Sequence, residues 1–289
     1  MPILGTHIQV WQGGWSPDEV AFAAEKAAAI GYQFLEIPVR APQSVDAGAI
    51  ARILEANKLF CTTSFVHGLD TDIASEDKAV AAAGEALMLE ALVRARDLGS
   101  KRLVGGMHSA LSKFDTARTE AGRRNAVSAL RRVSQRAGEM DMVLCIEALN
   151  RYESNFMNTA RQLLGLIEDI GAGNVYAHLD TFHMNIEESD PARAIRECGE
   201  RLGYFHVAEN YRGYLGSGSI DFQKIFRALH EISYDGPIAL EVFSSAVSNP
   251  LHSGRLAVWR EVWSDSNDIA RHSYDFLQNQ AATAQRRQH

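Results

Sequence analysis

Cysteine is scarce in this chain. There are three in 289 residues, Cys61, Cys145 and Cys198, widely spaced and odd in number. That argues against a disulfide framework and points to a reducing, cytoplasmic setting; no paired-cysteine zinc signature is present either. With 7 prolines and 22 glycines, collagen-like and low-complexity readings fail. No uncharged apolar run reaches the roughly 20 residues needed to span a bilayer, so no membrane partner is expected. Positive charge is in deficit: 29 Lys plus Arg against 36 Asp plus Glu gives a formal net charge of −7. A general nucleic-acid surface would want clustered Lys and Arg, so no nucleic-acid partner is expected. Met1 to Trp15 lacks a basic segment followed by an apolar one, and a signal peptide is not expected there. What is present is ordinary globular material, 46% hydrophobic and 22% charged, enough for one large core.

No Pro/Gly/Ser linker divides the chain, and a single domain over residues 1–289 is expected. Short runs rich in β-branched and aromatic residues recur with helical stretches between them. The strand candidates are Ile3–Trp11, Phe34–Val39, Phe60–Val66, Arg102–Gly105, Val143–Glu147, Val175–Asp180, Tyr204–Val207 and Ile238–Glu241. Ser16-Pro17, Asn158 and Asp221 read as helix starts, and Gly31, Gly99 and Gly171 as helix stops. Eight strand–helix units in one chain of this length predict an α/β fold, a (β/α)8 TIM barrel. The competitor, a doubly wound open sheet, would usually carry a Gly-rich phosphate loop after its first strand, and Gly13-Gly14 does not make one. The polar end, about 278–289, is expected to be a disordered tail.

A barrel gathers its functional side chains at the C-terminal ends of its strands. Reading the ends of the fifth to eighth strands gives Glu147, Asp180, His206 and Glu241. A carboxylate closing a buried strand is costly unless something neutralises it. Three carboxylates and one imidazole on one rim are most simply reconciled by a divalent cation, and oxygen-rich donors suit Mn2+, Mg2+ or Co2+ better than a thiolate zinc site. Any one of the four alone would read as a strand-end ion pair. The loops that follow add Asn150, Arg151 and Glu153, then His183 and Asn185, then Glu209 and Arg212, a setting for a polar small ligand. Trp11, Trp15, Phe182 and Phe243 read equally as an apolar wall or as core. Trp259 and Trp263 are expected on the last helix, in barrel packing or a subunit contact.

The run Leu179-Asp180-Thr181-Phe182-His183-Met184-Asn185-Ile186-Glu187-Glu188 resembles the signature of the ketose 3-epimerases. So do Glu147-Ala148-Leu149-Asn150-Arg151-Tyr152-Glu153, the loop Arg212-Gly213-Tyr214-Leu215-Gly216-Ser217-Gly218, and Tyr234-Asp235-Gly236-Pro237 leading to Glu241. The resemblance implies a TIM-like barrel with one divalent cation, Mn2+ above Co2+ or Mg2+, on Glu147, Asp180, His206 and Glu241. It implies substrate contacts from Glu153, His183 and Arg212, and a homodimer or homotetramer. The implied reaction inverts C3 of a free ketose, such as D-tagatose, D-allulose, D-fructose or L-ribulose. A proton passes between Glu147 and Glu241 through a cis-enediolate.

The chain departs from the pattern at Ala208, Asn210 and Tyr211, and carries His7 and His67 on the rim. Those departures leave the preferred sugar open, and both histidines read more readily as structural than catalytic. An aldose–ketose isomerase, or a lyase acting on a 3-keto sugar or glycoside, shares the same first chemistry and stays open as an alternative. An endonuclease of the apurinic-site type would need more histidines and a basic face, and a non-catalytic sugar-binding barrel would be expected to have lost a ligand.

Overall fold

The computed structural model describes residues 2–248 and 250–286, the side chains of Leu251 and His252 excepted. Eight parallel strands close into a barrel in sequence order, β1 pairing with both β2 and β8. The elements run β1 (Ile3–His7), α1 (Pro17–Ile30), β2 (Phe34–Pro38), α2 (Ala47–Ala56), β3 (Phe60–Ser64), α3 (Lys78–Asp97), β4 (Arg102–Gly105) and α4 (Glu120–Gly138). They continue with β5 (Val143–Glu147), α5 (Ala160–Ile170), β6 (Val175–Asp180), α6 (Thr181–Glu187), α7 (Pro191–Cys198), β7 (Leu202–Val207), α8 (Phe222–Glu231), β8 (Pro237–Leu240), α9 (Pro250–Arg255) and α10 (Ser266–Arg286). This is the TIM barrel expected from the alternation. Among the described residues no helix is long and apolar enough to cross a membrane.

Alternation along each strand separates two cores. Outward-facing residues such as Leu35, Ile37, Leu103, Leu144 and Ile146 join the helices in the main apolar layer. Inward-facing Phe34, Val104, Cys145, Tyr204 and Ala239, from five strands, form a separate cluster that fills the barrel. Gly5 makes room for it, because a Cβ there would collide with the Phe34 ring. Continuing the same face by two residues leads from Phe34 to Glu36, Cys145 to Glu147, Tyr204 to His206 and Ala239 to Glu241. The barrel therefore changes from apolar to ionisable within one layer.

Local signals set most of the boundaries. Ser16 caps α1 in a reciprocal pair with Glu19, and Gly31 ends it at φ 115°. Asp221 caps α8 through the Lys224 N–H, and Gly171 ends α5 in the left-handed region. Three expectations need correction. α5 is capped by Thr159, whose hydroxyl accepts from the Gln162 N–H; Asn158 instead donates to the Leu149 and Ser154 carbonyls. The first strand stops at His7, where the imidazole accepts from the Gln9 N–H and turns the chain into a short 3-10 segment. The polar stretch from Gln278 is helical through Arg286 as the end of α10, with Leu277 and Ala281 buried; residues 287–289 lie outside the described residues. Apolar side chains at helical spacing hold that end on the barrel despite its polar composition.

Candidate active site

Glu147 ends β5, Asp180 ends β6, His206 lies one residue before the end of β7, and Glu241 follows β8 directly. One donor atom from each lies within 4.8 Å of the others. His206 Nδ1 is 3.7 Å from Glu147 Oε1 and 3.5 Å from Glu241 Oε1. Both His206 Nδ1 and Glu147 Oε1 are buried with no hydrogen-bond partner among the described residues. Buried polar atoms are rarely left without partners, so two of them facing one point suit a site that could hold a cation. The donor set, three carboxylates and one imidazole, fits a hard divalent cation. The cluster that the strand ends predicted is therefore brought together.

Arg212 joins it. Its Nη1 donates to Asp180 Oδ2 at 2.9 Å and to Glu241 Oε2 at 2.7 Å. Its guanidinium sits 3.9 Å over the Phe182 ring, with Phe243 at 5.2 Å on another side. Two of the four aromatics expected as a wall or core thus serve to orient a cation. The Arg212 backbone is left-handed, φ 63°, an uncommon conformation for a side-chain-bearing residue. The loop that enforces it is clamped by Glu209. That buried carboxylate accepts from the Asn210 and Gly216 N–H groups, so it faces the loop rather than the site. Gly216 is required there: φ is 83°, and a Cβ would lie 2.5 Å from the Phe276 ring.

His183 and Glu153 are coupled through a third residue. The Asn150 side chain donates to His183 Nδ1 and to Glu153 Oε1, both at 2.8 Å, and the Asn150 backbone N–H also donates to Nδ1. A nitrogen that accepts two bonds carries no proton, so the His183 proton sits on Nε2, 3.6 Å from Glu147 Oε1 and 3.7 Å from Asp180 Oδ2. Glu153, Phe182, Tyr211 and Arg212 line a cavity of about 330 Å³, closed by residues 256–260 and Val262. Ser244 anchors that covering segment, donating to the Trp263 carbonyl at 2.6 Å. Trp263 is buried and Trp259 is 76% exposed; neither is on the last helix, which starts at Ser266. Tyr211, one of the departures from the family pattern, is tied to Ser217 at 2.6 Å on the cavity wall.

The electrostatics follow from crowding. Burial raises the Glu147 carboxyl, with Glu241 and Asp180 adding to the rise against the pull of His206. Burial also raises Glu241, opposed by His206 and Arg212. Asp180 goes the other way: burial alone would raise it, but Arg212 and then His183 hold it below the usual range. Burial lowers His183, keeping it neutral.

Two residues of the site escaped sequence reasoning. Glu36, wholly buried in β2, accepts from His206 Nε2 at 2.8 Å and from the Tyr204 hydroxyl at 2.7 Å. That bond keeps a proton on Nε2, so Nδ1 is the nitrogen that could bind a cation; burial would lower the metal-free imidazole, but Glu36, Glu241 and Glu147 hold it well above its ordinary range. His178, two residues before Asp180, shares its barrel face and stacks edge-on against His206 at 4.3 Å. Both sit inside apolar runs, and the only available signal was a polar residue interrupting each run at an inward-facing position. His7 is a turn-forming histidine, while His67 is buried edge-on against Phe65 away from the four donors.

The family profile described as xylose isomerase-like TIM barrel matches residues 24–280. A ketose 3-epimerase from Arthrobacter globiformis is 38% identical over 276 residues, covering 96% of this chain and 96% of that protein. An L-ribulose 3-epimerase from Mesorhizobium japonicum is 36% identical over 287 residues, covering 99% and 97%. The crystal structure of a D-allulose 3-epimerase from Methylomonas sp. in complex with D-allulose is 36% identical, with a TM-score of 0.95 over 96% of this chain and 97% of that one. On the strength of this agreement in sequence and fold, the chain belongs to the ketose 3-epimerases, carbohydrate epimerases built on the xylose isomerase-like TIM barrel.

Proposed function

We propose that this protein inverts C3 of a free ketose such as D-tagatose, D-allulose, D-fructose or L-ribulose, using Glu147 and Glu241 as the acid/base pair. One observation carries the reading: the two glutamates approach the same His206 nitrogen from different strands, and burial raises both carboxyls toward neutrality. A general acid/base works best with a pKa near the working pH. Glu147, Asp180, His206 and Glu241 would hold one divalent cation, Mn2+ in preference to Co2+ or Mg2+. When bound, that ion supplies the charge that polarises the ketose carbonyl and acidifies the neighbouring C–H.

The chain's own groups do the rest. One glutamate takes the C3 proton from one face of the sugar, and the other returns a proton to the opposite face of the flat enediolate. The reverse reaction exchanges their roles. The His183 Nε2–H and the Arg212 guanidinium donate to the sugar oxygens at C1 and C2, where negative charge develops. Glu153 receives the C1 hydroxyl and, through Asn150, fixes the His183 ring. The covering segment 256–262 limits water at the mouth.

A panel of C4 to C6 ketoses tests this, with the metal-reconstituted protein and products identified by configuration. The C3 epimer should accumulate, a chelator should silence the reaction, and Mn2+ or Co2+ should restore it. An aldose product would shift the assignment to an aldose–ketose isomerase. Cleavage of a 3-keto sugar or glycoside would shift it to a lyase. We further propose a homodimer or homotetramer, measurable by light scattering, with exposed Trp259 and Tyr152 available for contact. Three free, buried cysteines support a cytoplasmic setting.

A further inference from the structure

His178 is the least explained polar side chain of the barrel. It is fully buried, and neither ring nitrogen has a hydrogen-bond partner among the described residues. Its Nδ1 faces Glu147 Oε2 at 3.9 Å, while the other oxygen of the same carboxylate faces His206. One donor atom each from Glu147, His178 and His206 lies within 4.8 Å of the others. Two residues of strand rise set the His178 Cα roughly 6–7 Å deeper than that of Asp180 on the same face, so His178 is the donor that reaches Glu147 and His206 from below. At this level the β6–β7 register slips by one between Ala177 and His178, leaving Gly203 unmatched. Such bulges re-aim side chains next to functional sites.

We infer that the barrel holds a second, deeper cation position, formed by Glu147, His178 and His206, that selects a zinc-like ion. The two positions differ in chemistry. The outer one offers three oxygens and one nitrogen, suited to Mn2+ or Mg2+. The inner one offers two imidazoles and a carboxylate, a donor set Zn2+ takes readily with a fourth position left open. They are also mutually exclusive. His206 Nε2 is committed to Glu36, so only the single Nδ1 lone pair is available, and one lone pair binds one ion. The same Glu147 and His206 therefore serve either ion, the third donor deciding which. Zn2+ in the inner position would displace the outer ion from the mouth and draw Glu147 away from the sugar, so Zn2+ should compete with Mn2+ and suppress turnover. The competition rests on the outer site proposed above; the inner position stands on His178 itself.

Wild-type crystals soaked with Zn2+ alone, measured at the zinc absorption edge, give the deciding test. The expected anomalous peak lies about 2.0–2.2 Å from Glu147, His178 and His206. In solution, calorimetry should give one Zn2+ per chain, displacing Mn2+. His178→Gln should weaken Zn2+ at least about 10-fold more than it weakens Mn2+. A zinc peak bonded to Asp180 and Glu241, no peak beside His178 but only a water molecule, or equal loss of both ions in H178Q would each overturn the inference. If H178Q does not fold, diffraction from the wild type still decides. A protein that epimerises no ketose with Mn2+ would remove the proposed function, whereas the inner position would still stand or fall with the zinc peak.

Discussion

The two halves of the barrel end differently. Strands β5 to β8 each bring one side chain that could ligate a metal to the mouth, and three of the four are carboxylates. Strands β1 to β4 bring His7, which forms a turn, and Glu36, which never reaches the mouth and instead grips His206 from below. The second half is electrostatically frustrated by itself, with Glu147 and Glu241 raised by burial, whereas Glu36 in the first half, which burial alone would raise, is held below the usual carboxylate range by His206 and His7. A site of this kind divides labour: one half carries the donors, and the other holds them in orientation.

That contrast can be broken experimentally. The largest effect should come from the second half. Glu147→Gln or Glu241→Gln should lower kcat for ketose epimerisation by at least about 10²–10⁴-fold, the range for one general acid/base, because each is also a proposed ligand. A rate near wild type in either variant would remove it from the acid/base pair. Next comes Glu36, the first-half carboxylate that reaches across to His206. Glu36→Gln should weaken Mn2+ binding about 10–100-fold by loosening the His206 orientation, read by calorimetry rather than by rate. Unchanged Mn2+ affinity would make Glu36 a packing group only.

The halves should also respond differently to pH. The unfolded chain ionises Glu147 and Glu241 in the ordinary carboxylate range, whereas burial makes the metal-free fold retain their protons to higher pH. The native state then binds more protons, so these two groups cost stability as pH rises above the ordinary carboxylate range. A cation reverses that cost by favouring ionised carboxylates. Added Mn2+ should therefore raise Tm more at pH 8 than at pH 5, where protons compete for the donors. An equal shift at both pH values would argue that these carboxyls are not the ligands. The smallest effect is structural. Gly216→Ala should cost about 1–2 kcal/mol through the left-handed backbone and the Phe276 contact, seen as a lower Tm.

Much of the site was legible because its signals are local. VLCIE and VYAHLD each end an apolar run in a carboxylate, and PIALE carries its carboxylate one residue past the strand, so the burial cost was written into adjacent residues. The loop motifs gave Glu153, His183 and Arg212 through resemblance. Glu36 was not legible: its partner His206 lies 170 residues away, and FLEIP reads as a strand with a stray charge. Asn150 stood in a quoted motif, yet its place between His183 and Glu153 is decided by the loop after β5 meeting α6. Trp259 and Trp263 were misplaced because the covering segment after β8 has no periodicity to follow.

By itself the sequence determined the alternation of strands and helices, the barrel, and which four side chains stand at its rim, since period, capping and the cost of a buried charge are properties of neighbours along the chain. Only the tertiary structure decided which His206 nitrogen faces the carboxylates, that Arg212 bridges Asp180 and Glu241, and that His178 waits one layer below. Each depends on angstrom-scale distances between strands whose separation in sequence carries no record of how closely they approach.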